Sequence, residues 1–227
     1  FESVEKNSGV FFLRIDRELG IIEAKGTYRF DTDLLGLFSG DEKQPNRNAF
    51  ENYFTNAVIA GDNNEALLIA EYFKEEERCE TDYRTGIITC FQVYTSGPAL
   101  MMSFNEKGAV DWYTQLNKKQ QSIDDGGQFI GTVTLAGKST GLQMAYNGKS
   151  GEATNKQNPI IDAFNRTELL IQKVSSSGQF NQLSSIDSCT LPILPYTVKL
   201  LRDGNAYLLS EYLGKAALVR LESMSRK

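Results

Sequence analysis

The sequence predicts a mainly β fold, an antiparallel meander that forms a barrel or curved half-barrel with one or two short helices. The alternative is a two-sheet β-sandwich. Three observations carry the prediction. Apolar and polar residues alternate with period two over most of the chain. The apolar positions are rich in β-branched and aromatic residues, and Gly, Asn and Asp interrupt them at short intervals. With 227 residues and 41% hydrophobic content, the chain is long enough to fill one core, so residues 1–227 are expected to form a single β-rich domain.

In chain order, strands are expected at 10–16, 21–30, 57–60, 66–76, 86–94, 99–104, 110–115, 129–136, 141–146, 168–174, 196–202, 206–212 and 217–222. Helices are expected at two places. Residues 46–56, after Pro45, place Ala49, Phe50, Tyr53 and Phe54 on one helical face. Asn158-Pro159 has the form of an N-cap followed by Pro at the first helical position, with Ile160, Ile161 and Phe164 as its buried stripe. Two hairpins carry their own turn chemistry, Asn105-Glu106-Lys107-Gly108 and Arg202-Asp203-Gly204-Asn205. The polar stretches 147–158 and 174–188 are expected to be surface loops.

One segment resembles another inside the chain. Residues 56–73 align without gaps to residues 196–213, with Val, Ala, Leu and the pair Glu-Tyr shared, and both read as strand, turn, strand. Convergence of two hairpins on similar turn chemistry is the simpler account; duplication in a pseudo-symmetric barrel is the other.

The chain has no histidine. Triads and dyads that use imidazole, and zinc or haem sites built on it, therefore have no ring nitrogen to work with. The net charge of −5 arises from interspersed acids and bases with no basic stripe, so nucleic acid is not expected as a partner. No apolar run reaches the length of a transmembrane helix. The sequence opens at Phe1 without an initiator Met or a signal peptide, and the expectation is that a preceding segment has been removed.

Cys79 and Cys90 flank a segment that folds about Arg84-Thr85, which sets them opposite each other on a hairpin. Facing Cβ atoms in a non-hydrogen-bonded antiparallel pair lie close to disulfide distance. A bridge that closes so short a loop contributes about 3 kcal/mol in the chain-entropy account and points to an oxidising, extracytoplasmic compartment, periplasmic, secreted or surface-anchored. The other reading is a pair of reduced thiols on adjacent strands. Cys189 is left over as a packed thiol.

Other motifs are partial. The loop from Asp31 through Asp33 to Glu42 has acids at the first, third and twelfth positions of a calcium loop, but Leu35 stands where the fifth needs oxygen. An ordinary acidic loop and no cofactor are expected, with calcium at Asp31, Asp33 and Glu42 as the alternative. Gly137-Lys138-Ser139-Thr140 resembles the end of a phosphate-binding loop, but a strand and not a helix is expected after it. Asn165-Arg166-Thr167 fits the glycosylation pattern, which a chain this rich in Asn, Ser and Thr meets by chance. The neighbouring acids Asp124-Asp125 and Glu75-Glu76-Glu77 are paired carboxylates that a His-free hydrolase could use.

The resulting expectation is a non-enzymatic extracytoplasmic binding protein. In its most specific form it carries a small apolar ligand in a cavity lined by Leu68, Tyr72, Leu208 and Tyr212, which correspond in the two similar hairpins. Alternatively it is a surface module for protein or carbohydrate that uses exposed aromatics, Trp112 or Tyr113 and Tyr83, against another envelope or extracellular protein. The hydrolase is the third reading.

Overall fold

A computed structural model describes residues 9–39, 50–61, 65–137, 141–148, 161, 167–186, 192–200, 206–212 and 214–221. Among them the strands are β1 Gly9–Ile15, β2 Ile22–Arg29, β3 Tyr53–Ala60, β4 Ala66–Thr81, β5 Ile88–Phe104, β6 Val110–Leu116, β7 Gln120–Ile123, β8 Val133–Gly137, β9 Gly141–Gly148, β10 Glu168–Val174, β11 Phe180–Ile186, β12 Lys199–Leu200, β13 Ala206–Tyr212 and β14 Lys215–Leu221. One α-helix, α1 Thr32–Ser39, and a 3-10 turn at Pro195–Thr197 complete the set. Every strand pairing is antiparallel. The sheets stay open and no barrel closes among the described residues, so the sandwich-like alternative describes the arrangement better. No helix among them is long and apolar enough to cross a membrane.

The chain divides into two units. The first comprises Phe1–Tyr72 and Ala99–Leu116, the second Phe73–Pro98 and Asn117–Lys227, so that β4 and β5 each give one half to either unit. In the first unit, β1 and β2 form a two-stranded hairpin, and β3, β4, β5 and β6 follow in order in a second sheet. Its core holds Leu34, Phe50, Leu100, Met102 and Phe104, with Val10, Phe12, Tyr28, Leu68 and Tyr113 packed against it. Phe12 stacks on Phe104 with ring centroids 5.6 Å apart. The helix starts where Asp31 accepts the Leu34 amide at 2.8 Å, a side-chain cap on an otherwise orphan donor.

In the second unit, sheet β11-β10-β9-β8 and sheet β12-β13-β14 share one apolar core. Val133, Leu135, Ala145 and Leu169 come from one sheet, and Ala206, Leu208 and Leu221 from the other. A second cluster gathers Phe129, Ile130, Ile161 and Leu194, with Phe73 and Tyr94 against it.

Three expectations are corrected. Of the helix expected at 46–56, residues 46–49 lie outside the described residues and residues 53–56 are strand, because β3 begins at Tyr53, although Phe50 is buried as that helical face required. The stretch 180–186, read as loop, is β11, whose polar sequence Phe-Asn-Gln-Leu-Ser-Ser-Ile hides the alternation. The strands expected at 86–94 and 99–104 are one, β5. Pro98 does not break it because it stands where the strand changes partner, between Thr95-Ser96 on β7 and Ala99-Leu100 on β6, so its missing N–H falls outside both ladders. The helix expected at Asn158-Pro159 lies outside the described residues, apart from buried Ile161.

Candidate functional site

On the outer face of the β1–β2 hairpin in the first unit, the β1 half is apolar. Along β1, Val10 and Phe12 turn inward to the core while Phe11, Leu13 and Ile15 turn to solvent. Ile22 pairs with Ile15 across the hairpin, Leu19 and Ile21 lie in and beside the turn, and these six side chains are between 42% and 72% exposed. Single exposed apolar residues are ordinary on a protein surface, but a contiguous stripe is not. The register places Leu13 opposite Lys25 and Phe11 opposite Thr27. The flanks carry both signs of charge, with Arg14 Nε 2.9 Å from Glu23 and with Arg17 and Glu18 in the turn. Asp16 shapes that turn by accepting the Glu18 and Leu19 amides at 2.8 and 2.7 Å. The hairpin is fixed from within. Arg14 Nη1 donates to the Glu106 carbonyl at 3.1 Å, and Gly26 lies so close to Gly108 that an added Cβ would sit 2.0 Å from its oxygen. Among the described residues β1 has a ladder partner, β2, on one side only.

In the second unit, residues 77–90 form a hairpin arm exposed along its whole length. Cys79 and Cys90 are joined by a disulfide with Cα atoms 4.0 Å apart. The turn is where the sequence placed it, because the Asp82 amide donates to Ile87 and the Gly86 amide to Asp82, at 2.9 and 2.7 Å. Hydrogen bonds from the Arg84 amide and the Thr85 hydroxyl hold the Asp82 carboxyl below the usual carboxylate range. Tyr83 at the tip is 97% exposed, and Ile87 and Ile88 are exposed beside it. Glu77, Cys79 and Cys90 bring one carboxylate oxygen and two sulfurs within 4.8 Å of one another.

A buried polar network lies deeper in the second unit. Lys118 Nζ donates to Ser96 Oγ and, at 2.7 Å, to Gln120 Oε1, which also accepts the Gly131 amide at 2.9 Å. Gln120 donates to the Asn147 carbonyl at 2.7 Å. Asn147 in turn donates to the Phe129 and Ile193 carbonyls, both at 2.7 Å, and accepts the Ile193 amide at 2.9 Å. A lysine amine on a serine hydroxyl is the pairing of a Ser/Lys nucleophile, but Ser96 is wholly buried and Lys118 nearly so, and no substrate reaches a hydroxyl in that position. The network instead ties β5, β7, β9 and the segment at Ile193 together. Sequence reading missed it because Gln120 and Ser122 put polar residues on the inward face of β7, which inverts the usual pattern.

Of the residues expected to line a cavity, Leu68 and Leu208 fall in different cores. Leu68 packs on the core of the first unit, and Tyr72 meets Tyr53 edge-on with centroids 5.8 Å apart. Leu208 is fully buried among the side chains of the second unit's sandwich, and Tyr212 pairs with Lys215 at the end of β13, its side chain outside the described residues. Trp112 is half-buried opposite Ser103. Asp31 uses one oxygen to cap α1 and the other to accept the Tyr28 hydroxyl at 2.8 Å. Asp33 stands in the first turn of that helix, so the expected acidic loop is helical over Thr32–Ser39, and Glu42 lies outside the described residues. Three of the paired acids hold structural bonds. Asp124 accepts the Gln92 amide at 2.7 Å, Asp125 accepts the Gly127 amide at 2.8 Å, and Glu76 bridges Lys74 and Arg78.

Compared with known protein families, with curated proteins and with solved structures, the chain matches none.

Proposed function

We propose that the protein is a non-enzymatic extracytoplasmic interaction module that receives an extended, apolar-patterned segment of another envelope or extracellular protein on strand β1. The observation that carries this reading is the exposed stripe of Phe11, Leu13 and Ile15 beside an edge with no ladder partner among the described residues. An added strand gains affinity from main-chain hydrogen bonds and specificity from alternate side chains, and β1 offers both. The mixed charges around the stripe favour a protein over an anionic lipid surface, because Glu18 and Glu23 would be repelled there while a protein rim accommodates both signs. The disulfide supports the compartment, since such bridges persist where conditions are oxidising.

The test is panning of a displayed peptide library against the purified chain, with the double variant Phe11→Asp, Leu13→Lys as the counter-selection. Peptides with apolar residues at alternate positions should be enriched on the parent and lose about tenfold or more in affinity for the variant, whose exposed positions leave thermal stability unchanged. Equal recovery on both proteins would overturn the reading, and so would self-association of the chain that the same variant abolishes, which would make a second copy the occupant.

A further inference from the structure

We propose that the hairpin arm is a redox-gated metal site in which Cys79, Cys90 and Glu77 bind a thiophilic divalent cation such as zinc once the disulfide is reduced. The three ligating atoms already lie within 4.8 Å of one another, and all three residues are exposed, so reductant and metal both have access. Tetrahedral zinc with bonds of about 2.3 Å to sulfur holds two thiolates about 3.8 Å apart, a small opening from the bridged position. The arm keeps that geometry without its bridge. Asp82 and Ile87 remain paired through the backbone, Gly86 has the positive φ of 70° that the turn needs, and the Asp82 and Thr85 side chains cap the Arg84 and Ile87 amides. The thiols therefore stay face to face, with Glu77 two residues before Cys79 on the same side of β4.

The chemistry balances. A dithiol reductant attacks one sulfur of the bridge, breaks the S–S bond and leaves as its own disulfide, giving two thiols on the arm. Metal binding displaces one proton from each thiol, and with Glu77 supplying a carboxylate oxygen the fourth position is left to water. In an oxidising compartment the same pair is a structural bridge, so the arm holds either the bond or the metal and never both.

The experiment uses the full chain carrying Cys189→Ser, so that the arm supplies every thiolate. After reduction with a phosphine and removal of oxygen, cadmium is titrated as a spectroscopic substitute for zinc while ultraviolet thiolate-to-metal charge-transfer absorption and circular dichroism are followed. The expected result is a band that saturates at a single equivalent on unchanged circular dichroism, is absent from the oxidised protein and from Cys79→Ser, and needs about tenfold more metal in Glu77→Gln. The absence of a band in the reduced protein, a band indifferent to Glu77→Gln, or loss of strand signal on reduction would each overturn the proposal. None of these outcomes bears on the β1 edge, which belongs to the other unit.

Discussion

Asn147 joins the two sheets of the second unit through a single carboxamide. Its side chain exchanges hydrogen bonds in both directions with the Ile193 backbone, and the segment at Ile193 is itself bridged to Ser210 of β13. Asn147→Ala should lower stability by about 3 kcal/mol or more in chemical denaturation, because a buried amide and two buried carbonyls lose a partner and each costs about 1–3 kcal/mol when left unsatisfied. A cost below about 1 kcal/mol would mean that water replaces the carboxamide freely. Leu208 makes the complementary case in the apolar core. Leu208→Trp should cost about 1–3 kcal/mol through overpacking, read from the urea midpoint, whereas a neutral effect would reveal spare volume and return weight to the apolar-carrier reading. Tyr28 and Tyr53 link the first unit to alkaline pH. Burial, then for Tyr28 the bond to Asp31 and for Tyr53 the nearby Tyr72 and Glu71, raises both hydroxyls well above the ordinary tyrosine range. The fold therefore favours the neutral phenols. Their contribution is fully present below the unfolded pKa of about 10 and is lost as pH rises through the raised folded values. Tyrosinate absorbance should lag behind that of free tyrosine until the protein unfolds; full ionisation near pH 10 with the fold intact would contradict this.

The hairpin is the element that both the sequence and the structure speak about most clearly. Cys79 and Cys90, and the turn at Asn105 to Gly108, were legible because turn chemistry is local: Asn105 accepts the Lys107 and Ala109 amides, and Gly108 takes a φ of 80°. Gly108 also marks a contact that no local pattern encodes, its close approach to Gly26. Gly26→Ala should destabilise by about 3 kcal/mol, since the obstacle is backbone that cannot rotate away, while Gly20→Asn should cost less than about 1 kcal/mol because that site, at a φ of 66°, is open and Asn tolerates the left-handed region. Thermal midpoints of the two variants check the contrast, and equal shifts would refute it. Elements that depend on distant partners were not legible. β7 is polar on its buried face because Gln120 serves the Lys118 network, and Pro98 sits inside a strand because two different neighbours take over on either side of it.

At the scale of the whole molecule, the antiparallel β class followed from periodicity, whereas the closure of the sheet did not, because alternation fixes which face of a strand is buried and leaves open what buries it. The two similar segments show how far a pattern reaches. Ala60 pairs with Ala66 and Leu200 with Ala206, the same register shifted by 140 residues, yet Leu68 and Leu208 serve separate cores. Matching hairpins do not by themselves make a shared cavity. Nor could the sequence distinguish the two apolar faces of β1, since Val10 and Phe12 look no different from Phe11 and Leu13 until the core takes one set and leaves the other. The function proposed for that second face is open to one direct measurement, amide hydrogen exchange of the chain with and without a peptide selected by panning. Exchange should slow at those amides of residues 9–15 that point away from β2 and stay unchanged in the second unit. Protection confined to residues outside the β1–β2 hairpin would contradict the account.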